Sequence, residues 1–85
     1  MTRARGQSSR STLNREFPHQ VLVPADSVQG HAFTQVFAFH EHAGVPIKNY
    51  SARQDDKWYL LYCFAERSNA IAFQMVFGGE LFDRS

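Results

Sequence analysis

Lys57–Ala65, KWYLLYCFA, is the stretch on which the fold turns, because eight of its nine residues are apolar or aromatic. The polar cluster Gln54-Asp55-Asp56 precedes it and suits a turn. A run this short and this rich in aromatic residues predicts a strand buried on both faces, the centre of a sheet. Alternation along it sets Trp58, Leu60, Tyr62 and Phe64 against Tyr59, Leu61 and Cys63. The bulkier set is expected to face the helices.

Outward from that strand the remaining elements fall into place. Phe17–Val23 alternates around Val-Leu-Val and predicts a first strand, ended by Pro24. Asp26 or Ser27 offers an N-cap for a helix from about Ser27 to His42. Its stripe is Val28, Ala32, Val36, Phe39 and Ala43, widened on one edge by Phe33, Phe37 and His40. Gly44 suits the helix stop, and Pro46 blocks continuation. Ile47–Arg53 predicts an edge strand, since it carries Lys48, Asn49 and Arg53. Ser68 or Asn69 caps a second helix, Ala70 to about Phe77, with Ala70, Phe73, Val76 and Phe77 as its core stripe. Gly78-Gly79 ends it, and residues 80–83 are read as a short last strand.

A short hairpin makes the second and third strands antiparallel, and a helical crossover makes the first and second parallel. The third strand then sits between them. The expected fold is α+β: a ferredoxin-like βαββα(β) sandwich, an antiparallel sheet with two helices on one face.

Composition sets limits around this. Eighty-five residues make a single domain, and 44 % apolar content with eight Phe allows a small core. A chain this short is marginally stable alone, so a homodimer is the expected partner state. The single cysteine, Cys63, excludes an internal disulfide and a Cys-based metal cage. Arg3, Arg5, Arg10 and Arg15 make residues 1–15 a basic tail that is expected to be disordered, leaving 16–85 as a mildly acidic domain. The start lacks the apolar middle of a secretory signal, and no window reaches the length of a membrane span. A cytoplasmic protein is expected.

No catalytic set emerges. His31 and His42 share a helical face but lie about 16 Å apart along the axis, too far for one metal ion. His40 and His42 diverge around the helix unless it ends before them. Strand parity sets His19 and Cys63 on opposite sides of the sheet, so they form no Cys–His pair. Asp55-Asp56 reads as turn chemistry. The expectation is a non-enzymatic protein with no metal and no cofactor.

Two helices cover only one face of a sheet, so the other is expected to present Leu22, Tyr50, Tyr59 and Leu61 to a partner. The second helix has Ile71, Ala72 and Met75 opposite its core stripe, and a helix apolar all round is covered by something. Leu22, Tyr50, Tyr59, Leu61, Ile71 and Met75 are therefore the candidate contact residues of a self-associating module. The alternative is a weak single-stranded nucleic-acid binder using Arg3, Arg5, Arg10 and Arg15 with Tyr59. The RNA-recognition motif has the same element order, and its third strand reads K/R-G-F/Y-G/A-F-V-x-F/Y. Lys57, Tyr59 and Phe64 match it; Trp58 and Leu60 fill both small positions, and Leu61 replaces a stacking aromatic. The chain resembles that family in architecture and is not identified as a member. Small-ligand binding is a third option, by analogy of fold.

Overall fold

Lys57–Phe64 is β3, an inner strand, in a computed structural model that describes residues 10–83. The elements run α1 (Arg10–Glu16), β1 (His19–Pro24), a 3-10 turn (Ala25–Val28), α2 (His31–Ala43), β2 (Asn49–Gln54), β3, α3 (Arg67–Phe77) and β4 (Glu80–Asp83). They form a small α+β domain: one four-stranded antiparallel sheet, ordered β2-β3-β1-β4, with three α-helices.

Asp55 and Asp56 close the β2–β3 hairpin with φ of 53° and 66°, between the paired residues Gln54 and Lys57. Two positive φ values give the type I′ turn that matches strand twist. β1 lies beside β3 with His19 opposite Phe64, Val21 opposite Tyr62 and Val23 opposite Leu60. Residues directly opposite share a face, so these six look the same way. Val21, Val23, Tyr62 and Phe64 join Val28, Val36, Ala70 and Phe73 in the core, with Leu60, Phe39 and Phe77 packed around them. α2 and α3 therefore cover this face together. Phe39 meets Phe64, Phe73 and Phe77 edge-on, with ring centroids 6.2, 5.5 and 6.1 Å away.

The expected α2 start at Ser27 is corrected. The Ser27 hydroxyl donates back to Pro24 O at 2.8 Å and closes the 3-10 turn, so it caps no helix. Gly30, at φ 62° and ψ −128°, then redirects the chain, and α2 begins at His31. Gly44 ends α2 in the left-handed conformation, φ 71°, as expected. Two core assignments also change. Trp58 is on the helix face but 54 % exposed. Pro24 pairs with Tyr59, and the chain leaves β1 for the 3-10 turn at Ala25, so Trp58 overhangs the end of β1. Val76 is exposed because α3 turns the tighter stripe Ala70, Phe73 and Phe77 inward.

The largest correction concerns the second sheet face, expected to be bare. Gln20, Leu22, Tyr50, Tyr59, Leu61 and Cys63 share that face by register. Gln20, Leu61 and Cys63 are nonetheless buried, as is Leu13 of α1. Gln20 Nε2 donates to Asn14 Oδ1 at 2.8 Å and to Phe17 O at 3.2 Å, while Tyr50 donates to Gln20 Oε1 at 3.0 Å. Lys48 Nζ lies 5.9 Å from the centroid of the Phe17 ring. The chain's own N-terminal helix thus roofs this face. Residues 1–9 of the expected tail lie outside the described residues. From residue 10 the tail is helical, because Leu13 has an apolar surface to meet and Asn14 a buried amide to satisfy.

Candidate functional site

Phe33 and Phe37 are one turn apart on α2 and share one flank of it. Val36 and His40 point inward and draw α2 towards β3 and α3, which leaves that flank over the β2 edge of the sheet. The β2 side chains on this face, Asn49 and Ser51, lie opposite Tyr62 and Leu60. They are too small and polar to fill the space below α2. Two open hollows result. One, of about 530 Å³, is lined by Val28, Gln29, Gly30, Phe33, Asn49, Leu60 and Tyr62. The other, of about 330 Å³, is lined by Phe37, His40, Glu41, Val45, Pro46 and Ile47. Phe33 and Phe37 border this groove while themselves 44 % and 51 % exposed.

The floor of the groove is chemically unusual at His40. The ring is 2 % exposed and lies nearly parallel to Phe64, at 17° and 5.3 Å between centroids. Its Nδ1 is 2.8 Å from Val36 O, which makes Nδ1 the protonated nitrogen of a neutral ring. Nε2 is buried with no hydrogen-bond partner among the described residues. Burial holds the His40 pKa below its usual 6.5, against the opposing pull of the Val36 carbonyl. Burial also pushes the Tyr62 phenol up, offset in part by a hydrogen bond with the Asn49 side chain. Neither of these two groups is charged near neutral pH; the groove's lining is largely apolar, with Glu41 as its carboxylate.

The other titratable groups lie elsewhere. His19 Nδ1 sits 2.7 Å from Asp83 Oδ1, and Arg67 donates to Asp83 Oδ2 at 3.2 Å. These bonds, His19 first, hold the Asp83 carboxyl below its ordinary range. Gln20, not His19, pairs with Cys63, so His19 and Cys63 take opposite faces. α2 continues through His40 to Ala43, with His31 and His42 exposed. Among the described residues no three His, Cys, Asp or Glu side chains gather to hold a metal ion. Among them, too, no helix is long and apolar enough to cross a membrane.

The six candidate contact residues fall on the two alternative surfaces expected for them, the second sheet face and the outer side of α3. Leu22, Tyr50 and Tyr59 are half-buried and Leu61 is buried, all on the α1 face. Ile71, half-buried, and Met75, 81 % exposed, belong to α3 in the opposite layer. Of the arginines, Arg3 and Arg5 lie outside the described residues, Arg10 opens α1, and Arg15 lies 3.6 Å from Glu16 at the surface. Phe33 and Phe37 are the residues the pattern misplaced. The signal was present, since an α2 stripe widened to one side by two Phe is broader than the sheet beneath it accepts.

No family model matches this chain, and no curated protein or solved structure is significantly similar to it.

Proposed function

We propose that the chain is a small non-enzymatic interaction module that forms a homodimer through the α2 flank and the groove beside it. The observation that carries this is the adjacency of ring and hollow: two half-exposed Phe rings border two open, largely apolar hollows on one surface. A two-fold contact needs that self-complementarity, because each copy offers the same patch to the other. A formal net charge of +1 sets little repulsion between copies. Burying the exposed parts of both rings removes about 200 Å² per protomer, about 5 kcal/mol at 25 cal/mol per Å². Two protomers supply about 10 kcal/mol against an association cost of about 4–15 kcal/mol, which sets a weak, concentration-dependent dimer.

The scaffold in this reading is ferredoxin-like. β1 and β2 both run antiparallel to β3, which lies between them; β3 and β4 do the same around β1. Each pair is joined through a helix, so the chain is two interlocked split βαβ units. The separation of His19 from Cys63 supports a non-enzymatic role, and a single buried thiol fits a cytoplasmic setting.

Sedimentation of the full chain across a concentration series tests the proposal. The wild type should shift from monomer to dimer as concentration rises, and Phe33→Asp or Phe37→Asp should hold it monomeric. A wild-type monomer at high micromolar concentration rejects self-association. Loss of the dimer in Met75→Asp but not in Phe37→Asp moves the contact to α3.

A further inference from the structure

Leu13 and Asn14 latch α1 onto the second sheet face. Leu13 is the one buried residue between positions 11 and 16. Asn14 Oδ1 accepts from Gln20 Nε2 at 2.8 Å, and Gln20 Oε1 in turn accepts from the Tyr50 hydroxyl on β2 at 3.0 Å. We propose that α1 is a hinged lid, which lifts from this face as a unit while the four-stranded sheet stays folded. Lifting uncovers Gln20, which the closed domain buries, and opens the face around it, where Cys63 stands opposite in the register.

Three features make this lid separable from the rest of the domain. First, α1 has little helical stability of its own. Its seven residues fall short of the roughly 12–15 that an isolated helix needs, and its first turn carries Arg10 and no acidic residue, against the helix dipole. Off the sheet it unwinds, so docking and folding of α1 are one event. Second, the hinge is set by the chain itself. Phe17 N–H donates to Leu13 O at 2.7 Å and closes the last turn; Pro18 follows, offers no N–H and disfavours helical backbone at Phe17. β1 starts directly after it, with His19 paired to Phe64 on one side and Asp83 on the other, and His19 Nδ1 lies 2.7 Å from Asp83 Oδ1. Opening thus stops at His19. Third, the buried amide is not orphaned when the lid lifts. Gln20 Nε2 also donates to Phe17 O at 3.2 Å, within the hinge, and Tyr50 stays on Oε1, so water replaces Asn14 alone. Release of one leucine with no buried polar group left unpaired costs far less than unfolding the sheet.

Native-state hydrogen exchange of the full chain, followed by NMR across a urea series below the unfolding midpoint, tests the lid. The Phe17 amide, bound to Leu13 O, reports closure. It should exchange about a hundredfold faster than the slowest amides of β1 and β3, and its rate should stay nearly flat in urea, because lifting α1 exposes little surface. The sheet amides should instead accelerate steeply. Leu13→Asp should hold the lid open. The Phe17 amide should then lose about tenfold or more of its protection, and Cys63 should label faster with iodoacetamide, while the variant keeps its sheet by circular dichroism and unfolds cooperatively. A Phe17 amide as slow and as urea-sensitive as the sheet amides would overturn the proposal. So would a Leu13→Asp chain that is unfolded, or one in which Cys63 stays as protected as in the wild type. α1 lies on the face opposite the α2 groove, so these readings are independent of self-association there.

Discussion

Acidification should weaken this fold through His40, and the size of the effect follows from its surroundings. The ring is packed among Phe39, Tyr62, Phe64 and Phe73, and only the neutral form suits that site. Because burial lowers its pKa in the fold, the unfolded chain takes a proton below 6.5 that the folded chain refuses. Proton binding then favours unfolding, so stability is full above 6.5 and falls as pH drops below it. The slope reaches about 1.4 kcal/mol per pH unit while the folded ring stays neutral. Complete exclusion of the proton would remove at most about 2 kcal/mol by about pH 5, near 10 °C in melting temperature for a domain of this size.

His40→Phe isolates the effect. It keeps a flat ring against Phe64 and leaves every other titrating group in place. It deletes the unpartnered Nε2, whose burial costs about 1–3 kcal/mol, and the Nδ1 bond to Val36 O, worth about 1 kcal/mol. The variant should be more stable than wild type by about 1 kcal/mol at neutral pH, and the gap should widen on acidification. Denaturant unfolding followed by circular dichroism, at one protein concentration across a pH series, gives the difference curve. Parallel pH profiles for the two proteins would refute the reasoning, as would a folded-state His40 that titrates above 6.5 by NMR.

Gly79→Ala should destabilise by about 2–4 kcal/mol, read by thermal melting, since φ is 100° and a Cβ would meet Leu22 O and lie 2.7 Å from Val23 Cγ1. Leu13→Ala should lose about 2 kcal/mol or more and speed thiol labelling of Cys63, because α1 is what shields that face; an unchanged labelling rate would contradict the roof. Asp56→Gly should stabilise by up to about 1 kcal/mol in urea unfolding, since glycine takes φ 66° freely and the exposed Arg53 pair that is lost is worth little. Gln20→Leu should destabilise by about 1–3 kcal/mol, since Tyr50 and Asn14 lose their shared partner; a neutral result would show that water replaces it.

Much of the architecture is legible from local pattern alone. Alternation along Lys57–Phe64, turn chemistry at Asp55-Asp56, and the Gly44 and Gly78 stops depend on neighbours within a few residues, so period and propensity suffice for them. The place of β3 between β1 and β2 followed from connection rules. Even the burial of both faces was implied by the unbroken apolar run, realised in Leu61 to Phe64. What local pattern did not reveal is which segment supplies the second cover. Leu13 is a lone apolar residue in a polar stretch, and α1 is too short to be stable by itself. Its helix is held by the buried Leu13 side chain and by the Gln20 amide, which bonds Asn14. Exposure at Phe33, Phe37, Trp58 and Val76 has the same origin: periodicity tells which way a side chain leaves its element, whereas only the packed neighbours decide whether anything stands there to meet it.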